Sequence, residues 1–224
     1  MNNSVGAVIF SRLDSCRLPE KALISINNKK LIDRVYDRCK LLQEVDQTVL
    51  STSDRFCDSK LINHAVSIGL DFSTGPLDKL NQRAINACKK FNFRHIVRIC
   101  GDRPLFSTLL VDLAVSSHLN TDSDFTYIHV RNNRISQGLT TEVLNLEVLN
   151  RYQNCDNEHM TESFYNDPEV KTNALDVSPY WEGTSKDKKF VLDTRQDLIR
   201  ISSICKHMDK VSESLWLDKL KKFA

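Results

Sequence analysis

The 224-residue chain lacks the patterns that would assign it to several classes of protein. Its seven cysteines are odd in number, and no two of them form a Cys-x-x-Cys pair. A disulfide framework and a zinc site are therefore not expected, and the cysteine content suits a reducing compartment. No apolar stretch approaches the length of a membrane span, and the first residues do not form a recognisable signal peptide. We therefore expect a soluble cytoplasmic protein.

The chain also has almost no excess of charge of either sign. Its formal net charge is only +2, although 27% of its residues are charged. No general nucleic-acid-binding surface follows from this balance, so any cationic site must be local. With 41% hydrophobic residues, the chain can bury the core of a single domain. We find no internal repeat, low-complexity tract or clear interdomain linker.

The most informative segment is VGAVIFSRLDSCRLPEK, residues 5–21. Its apolar first part, Val5–Phe10, predicts a buried parallel strand, and the polar part that follows carries Arg12, Arg17 and Lys21. Ligands of open α/β sheets bind at the carboxyl ends of strands, so three cations there indicate an anion, such as a phosphate group. A solvated loop with ordinary surface charges is the alternative interpretation.

Strands and helices alternate along the rest of the chain. After the first strand, further strands are predicted over residues 45–52, 70–73, 95–100, 125–130, 140–144 and 189–192. Helices are predicted over residues 31–43, 60–68, 79–91, 109–119, 146–152, 158–166, 195–206 and 212–223. This alternation predicts βαβ units and a mostly parallel sheet flanked by helices.

Two acidic residues follow predicted strands in matching positions. Asp102 follows the strand over residues 95–100, and Asp193 follows the strand that ends at residue 192. If both strands belong to one parallel sheet, both carboxylates reach the edge beside residues 5–21. Two carboxylates facing a cationic loop suit Mg²⁺ held between protein and polyphosphate. Alternatively, Asp193 is the N-cap of the next helix and Asp102 is a turn residue.

Five motifs, in the same order along the chain, resemble those of CMP-sugar synthetases, the cytidylyltransferase superfamily. AVIFSRLDSCRLPEKAL (7–23) is similar to the opening signature, an apolar strand followed by Ala-Arg-x-x-Ser-x-Arg-Leu-Pro-Gly-Lys. ICGDRPL (99–105) is similar to Gly-Asp-x-Pro-Leu, and FVLDTRQDL (190–198) is similar to Val-Asp-Thr-Pro-Glu-Asp-Leu. QGLTTEV (137–143) and EHMT (158–161) resemble Asp-Gly-Leu-Asp-Val-Glu-Val and Arg-Glu-His-Val-Thr of the SpsF-like, spore-coat-polysaccharide branch.

The resemblance implies a Rossmann-like α/β nucleotidyltransferase fold and Mg²⁺-dependent transfer of CMP from CTP to a sugar or sugar acid. Pyrophosphate is the expected second product, and bacterial surface polysaccharide synthesis is the expected role. The resemblance also implies one domain over residues 1–224, with an elaboration at about 125–165 for acceptor binding and a homodimer.

The resemblance further implies roles for individual residues. The implied catalytic residues are Arg12, Lys21, Asp102 and Asp193; the nucleotide-binding residues are Arg12, Ser15, Arg17, Lys21, Gly75, Arg83 and Asp102; the metal ligands are Asp102 and Asp193; and the residues toward the acceptor are Glu142, Glu158 and His159. Purely structural roles also fit some of these residues. Glu142 fits a solvent-facing edge strand, His159 fits the polar face of a helix N-terminus, and an amphipathic helix accounts for most of residues 75–83.

Two departures from the resembled pattern bear on activity. Asp14 and Glu20 stand where the SpsF-like branch usually has Gly. Gly lets backbone N–H groups approach phosphate closely, and a carboxylate pointing inward would repel the triphosphate. A nucleotide-binding partner subunit with weakened catalysis therefore stays open as a second hypothesis. A glycosyltransferase on a related fold is a third hypothesis, separate from these departures.

Overall fold

A computed structural model of the chain describes residues 3–128, 135–154, 160–181 and 189–224. Its strands are β1 (Val5–Phe10), β2 (Ser25–Ile26), β3 (Lys29–Lys30), β4 (Gln47–Ser53), β5 (Asp71–Gly75), β6 (His95–Cys100), β7 (Phe125–Tyr127), β8 (Glu142–Asn145) and β9 (Thr172–Ala174). Its helices are α1 (Leu31–Cys39), α2 (Ser59–Ser67), α3 (Leu80–Phe91), α4 (Thr108–Thr121), α5 (Leu146–Arg151), α6 (Arg195–Met208) and α7 (Glu213–Leu220). Short 3₁₀ turns occur at Lys21–Leu23, Phe56–Asp58, Glu162–Tyr165 and Lys221–Phe223.

The main sheet has seven strands in the order β5-β4-β1-β6-β8-β7-β9. β1 is the third strand in this order and pairs in parallel with β4 and β6, whereas β8 runs antiparallel to β6 and to β7. The predicted α/β class with a mostly parallel sheet is confirmed. β2 and β3 form a separate two-stranded hairpin, which the sequence pattern does not indicate because each strand has only two residues.

Helices cover both faces of the sheet, which explains why β1 is a continuous apolar run. Ala7 and Ile9 belong to a core that includes residues of α1, α2, α4, α6 and α7. Val8, on the opposite face, belongs to a second core with residues of α3 and α5. A strand buried on both faces has no polar positions to alternate with, as in other parallel sheets. None of the helices in the described ranges has the length and apolar character that a membrane crossing requires.

The strand predicted over residues 189–192 is wrong. Residues 189–193 belong to no ladder of the described sheet, although Phe190 and Leu192 are both buried. Their amides bond to loops instead, since Phe190 N donates to Gln137 O (2.7 Å) and Leu192 N donates to Asp102 O (2.9 Å). Burial of the apolar side chains produced the strand-like pattern, but the hydrogen-bond partners of this segment lie outside the sheet.

Other predicted boundaries shift by a few residues. The helix predicted over residues 31–43 ends at Cys39, and β5 begins at Asp71 and continues to Gly75. Part of the helix predicted over residues 158–166 lies outside the described residues, and the described remainder contains only the 3₁₀ turn Glu162–Tyr165. The sequence pattern does not indicate β9, because a three-residue edge strand carries too little periodicity.

Candidate active site

The residues after β1 form a loop that is anchored by its apolar side chains. Leu13 and Leu18 are buried, whereas Arg12 and Arg17 between and beside them are exposed. The apolar side chains thus attach the loop to the core, whereas the two guanidinium groups stay accessible to solvent.

Asp58 fixes the position of this loop. Its side chain is fully buried, its Oδ1 accepts a hydrogen bond from Leu13 N (2.7 Å), and its Oδ2 accepts one from Ser53 Oγ. A buried carboxylate is retained only where hydrogen bonds or charges satisfy it. Asp58 therefore joins the loop to the carboxyl end of β4, a role that the sequence pattern does not reveal.

Lys21, Asp102 and Asp193 form one ionic cluster, as the sequence predicts. Lys21 Nζ lies 2.8 Å from Asp102 Oδ2 and 2.9 Å from Asp193 Oδ1. Arg17 contributes a second cation, with its NH2 group 3.2 Å from Asp193 Oδ1. Burial lowers the pKa of Lys21, but the charges and hydrogen bonds of the two carboxylates outweigh this effect and raise the pKa. Lys21 is therefore charged at neutral pH.

Asp193 reaches the cluster because the neighbouring residue caps α6. Thr194 is the N-cap: its Oγ1 accepts from Asp197 N (3.2 Å), and Asp197 Oδ2 accepts from Thr194 N (3.0 Å). The alternative that Asp193 is the N-cap is therefore wrong, and its carboxylate is available to Lys21. Asp102 does lie in a turn, in which Arg103 N donates to Cys100 O at 3.2 Å.

A cavity of about 400 Å³ opens beside this cluster, at the carboxyl ends of β1 and β6. The predicted site residues that line it are Arg12, Ser15, Arg17, Lys21, Asp102 and Asp193. Such a position, outside the carboxyl ends of parallel strands, is where open α/β sheets bind their ligands. The described residues contain no group of three or more His, Cys, Asp or Glu that could hold a metal.

The carboxylates of Asp102 and Asp193 nevertheless fit a divalent ion whose other ligands come from a bound nucleotide. Their oxygens converge on one cation, the Lys21 ammonium, and Leu192 O is 3.3 Å from the same nitrogen. Oxygen donors of this kind suit Mg²⁺, which usually takes only one or two carboxylates and keeps phosphates and water as its other ligands.

Gly75 and Arg83 do not line the cavity. A Cβ on Gly75 would lie 2.8 Å from Asn86 Nδ2 and 3.1 Å from Arg83 Cγ, so a glycine allows α3 to pack closely on β5. Arg83 is buried, and its NH2 group donates to Ser51 O at 2.5 Å. Burial and the charge of Arg12 lower the pKa of Arg83 to about 10, so this guanidinium is a desolvated cation close to the loop after β1.

The two acidic departures in the loop point in different directions. Asp14 lines the cavity, but its carboxylate is paired with Arg12 Nε (3.1 Å) and with Arg55 NH2 (2.6 Å). Glu20 is exposed and pairs with Lys60 Nζ at 2.7 Å. Its φ of 52° lies in the left-handed region, which glycine adopts at least cost. The glycine usual at this position in the resembled branch therefore has a backbone explanation.

Of the three residues predicted to lie toward the acceptor, only Glu142 belongs to the described part of the chain. Glu142 lies on β8 directly opposite Arg98 of β6, and its Oε2 is 2.6 Å from Arg98 NH1. Glu142 therefore does not face solvent as an edge-strand residue. Glu158 and His159 fall outside the described residues. Arg98 lines the cavity and is absent from the predicted site, although a lone charge in an apolar strand is a usable signal.

The comparisons with known proteins agree with this geometry. The sequence profile of the cytidylyltransferase family matches residues 7–222. The spore coat polysaccharide biosynthesis protein SpsF of Bacillus subtilis (strain 168) is 25% identical over 213 residues, which cover 90% of this chain and 86% of that protein. A cytidylyltransferase structure from Leptospira borgpetersenii serovar Hardjo-bovis superimposes with a TM-score of 0.86 at 23% identity, covering 98% of this chain and 94% of that one.

A second solved structure, CMP:2-keto-3-deoxy-manno-octonic acid synthetase complexed with CTP, superimposes with a TM-score of 0.70 at 13% identity, covering 91% of this chain and 99% of that one. These structures share the Rossmann-like nucleotidyltransferase fold. With nearly its whole length matched by the family profile, the chain belongs to the cytidylyltransferases, a family of nucleotidyltransferases.

Proposed function

We propose that this protein transfers CMP from CTP to an oxygen of a sugar or sugar acid, with Mg²⁺ as cofactor, and releases pyrophosphate for bacterial surface polysaccharide synthesis. The observation that carries the proposal is the Lys21 ammonium between Asp102 and Asp193, in a cavity that Arg12 and Arg17 also line. The CTP complex of the related synthetase supports the nucleotide, and the role of SpsF in spore coat polysaccharide biosynthesis supports the polysaccharide.

The reaction needs positioning and charge more than it needs a covalent nucleophile. An acceptor hydroxyl oxygen attacks the α-phosphorus of CTP in line, and the bond from that phosphorus to the bridging oxygen breaks as pyrophosphate leaves. Arg12 and Arg17 can make bidentate contacts to phosphate oxygens, whereas Lys21 supplies a compact positive charge. The proton of the acceptor hydroxyl leaves to a base, which the described residues do not identify.

Asp102 and Asp193 would hold Mg²⁺, whose chemistry is to neutralise the charge on the phosphate oxygens. In the structure Lys21 and Arg17 together balance the charges of the two carboxylates. With a divalent ion held by Asp102 and Asp193, the Lys21 ammonium would be available to a phosphate oxygen of the leaving group. Lys21 and Arg17 thus offset the charges of the two carboxylates before the substrate binds.

The pairing of the loop acids favours an active enzyme over the weakened partner subunit. Glu20 faces Lys60 outside the cavity, and Asp14 is held between Arg12 and Arg55. An acid that is already paired repels phosphate less than an isolated one. Asp14 still weakens triphosphate binding to some extent, because the triphosphate competes with Asp14 for the guanidinium of Arg12.

The direct test combines nucleotide binding with turnover. Calorimetry with CTP, UTP, ATP and GTP in the presence of Mg²⁺ is expected to show preferential binding of CTP. Pyrophosphate release is then measured with CTP and a panel of sugars and sugar acids, with Asp193→Asn as the inactive control. Failure to bind CTP would overturn the proposal, and binding without turnover by any acceptor would support the partner subunit instead. Tighter binding of a nucleotide sugar than of CTP would support a glycosyltransferase.

We further propose that residues 1–224 form one domain and that the chain assembles as a homodimer, partly through residues at about 125–165. Light scattering coupled to size-exclusion chromatography tests the assembly, and a monomeric mass at micromolar concentration would contradict it.

A further inference from the structure

Arg98 is a cation that lines the cavity and that does not belong to the loop after β1. Its side chain is only 19% exposed, and its NH1 group pairs with Glu142 Oε2 at 2.6 Å. Its Nε is buried and has no hydrogen-bond partner among the described residues. Arginine carries five N–H donors in a planar fork, so a guanidinium held through NH1 retains donors for a ligand.

Glu142 is fully occupied by the protein and holds Arg98 in place. Its second oxygen, Oε1, accepts hydrogen bonds from Thr161 Oγ1 and Tyr165 OH, both at 2.9 Å. Burial raises the pKa of Glu142, but the charge and hydrogen bond of Arg98 and the two hydroxyl groups outweigh this effect. The pKa is therefore lower than the usual value, and the carboxylate stays ionised. With both oxygens engaged, Glu142 orients the guanidinium rather than offering a free acceptor to a ligand.

The position of Arg98 separates it from the cations that suit the leaving pyrophosphate. Arg12, Arg17 and Lys21 belong to the segment after β1 and line the cavity with Asp102. Arg98 lies on β6 and faces Glu142 of β8, on the side of the cavity away from β1. An in-line reaction places acceptor and pyrophosphate on opposite sides of the α-phosphorus, so a cation on the β8 side lies toward the acceptor.

We propose that Arg98 binds an oxyanion of the acceptor, a carboxylate or a phosphate group, and that Glu142 is the positioning residue for its guanidinium. This inference rests on the proposed function. A neutral acceptor that accepts no hydrogen bond here would leave the buried Nε of Arg98 without a partner, and sites built to hydrogen-bond a substrate group reject analogues that lack that group. The Arg98–Glu142 pair therefore selects for acidic acceptors among sugars of similar shape.

The test compares each acid with a neutral form of the same skeleton. Pyrophosphate release is measured with sugar acids and their methyl esters, and with sugar phosphates and the parent sugars. Wild type, Arg98→Gln, Arg98→Lys and Glu142→Gln are compared with Arg94→Gln, a control that removes an exposed arginine just before β6. Circular dichroism and the thermal unfolding midpoint confirm that each variant is folded.

We expect wild type to use an acid and to reject its ester or parent sugar. Arg98→Gln should raise the KM for the acid by about 10- to 100-fold, the effect of a lost charged hydrogen bond, while the Kd for CTP stays within about twofold. Glu142→Gln should raise the same KM by a smaller factor, and Arg98→Lys should recover part of it. Arg94→Gln should match wild type. The carboxylate and phosphate arms identify which anion is recognised.

Several results would overturn the inference. Equal turnover of an acid and its ester, or an Arg98→Gln variant in which CTP affinity falls while the KM of the acceptor does not change, contradicts it. If no acid or phosphate is turned over, their binding to the CTP-loaded protein is measured by calorimetry, and absence of binding also contradicts it. In all of these outcomes the wild type still binds CTP, whereas failure of the proposed function appears as no CTP binding by the wild type.

Discussion

The backbone amide of Leu192 donates a hydrogen bond to the carbonyl oxygen of Asp102 at a distance of 2.9 Å. This contact joins a segment near the end of the chain to the turn after β6, without any strand pairing. It sets Asp193 beside Asp102, so that both carboxylates reach Lys21 Nζ. The central charge arrangement of the site thus includes a loop-to-loop contact between parts of the chain that are far apart in sequence.

Replacing Lys21 by Met should strengthen divalent-ion binding while it abolishes turnover. Asp102 and Asp193 lose the ammonium that both of them contact, so they carry more net negative charge and attract Mg²⁺ or Mn²⁺ more strongly in the absence of nucleotide. Pyrophosphate release should fall at least about 100-fold, because a charge next to the leaving group is lost. Calorimetry with Mn²⁺ measures the first effect, and Lys60→Met is the control on an exposed lysine. Weaker metal binding by the Met variant would contradict the proposed metal ligands.

Replacing Asp58 by Asn should weaken the attachment of the loop after β1. The carboxylate that accepts from Leu13 N and Ser53 Oγ is fully buried, so we expect a loss of about 1–3 kcal/mol in the free energy of unfolding. The Kd for CTP should rise by roughly tenfold, because a loop that is no longer held must be ordered on binding. Urea titration and calorimetry measure the two effects. Asp54→Asn, at an exposed position just after β4, should change neither.

Replacing Glu20 by Gly should not weaken the protein. The left-handed backbone at this position costs a non-glycine residue about 1 kcal/mol, which exceeds the value of an exposed ion pair with Lys60. We expect the free energy of unfolding to stay equal or to rise by up to about 1 kcal/mol. Glu20→Ala separates the two effects, since it removes the charge but keeps the Cβ. A glycine variant less stable than the alanine variant in urea would show that the strain argument fails.

Acid should destabilise the protein through His118. This side chain is fully buried, with Nε2 3.1 Å from His95 Nδ1 and Nδ1 3.0 Å from Thr126 Oγ1. Burial, and then the charge of His95, lower the pKa of His118 to about 4. His118 of the unfolded chain therefore binds a proton near pH 6.5, whereas His118 of the folded chain binds it only near pH 4. The contribution of this group to stability is complete above about pH 6.5 and is lost as the pH falls from there toward about 4, by roughly 3 kcal/mol.

Urea unfolding at pH 7.5, 5.5 and 4.5 measures this dependence in wild type and in His118→Gln. Carboxylates also titrate in the lower part of the range, so the informative quantity is the difference between the two slopes. The Gln variant is expected to be less stable at pH 7.5 and to lose less stability on acidification. Parallel curves for the two proteins would show that His118 titrates normally in the fold.

Local sequence pattern alone was enough to predict strands β1 and β6 and the charged residues of the site. β1 and β6 were predicted at their observed bounds, because β1 is a continuous apolar run and β6 is a largely apolar run that ends at a polar turn. Arg12, Arg17, Lys21, Asp102 and Asp193 were also recognisable, since each follows directly on a strand or a strand-like apolar segment that delivers it to the same edge.

Only the tertiary structure decided which charged side chains pair with one another. Asp14 is neutralised by Arg55, Asp58 holds Leu13, and Arg98 lies opposite Glu142, and in each case the partners come from separate elements. Residues 189–192 have the pattern of a strand, yet the amides of Phe190 and Leu192 donate to residues outside the sheet. The periodicity of a segment reports how its own side chains are buried. It does not report strand register or the partner of a charge, because both depend on where distant segments come to lie.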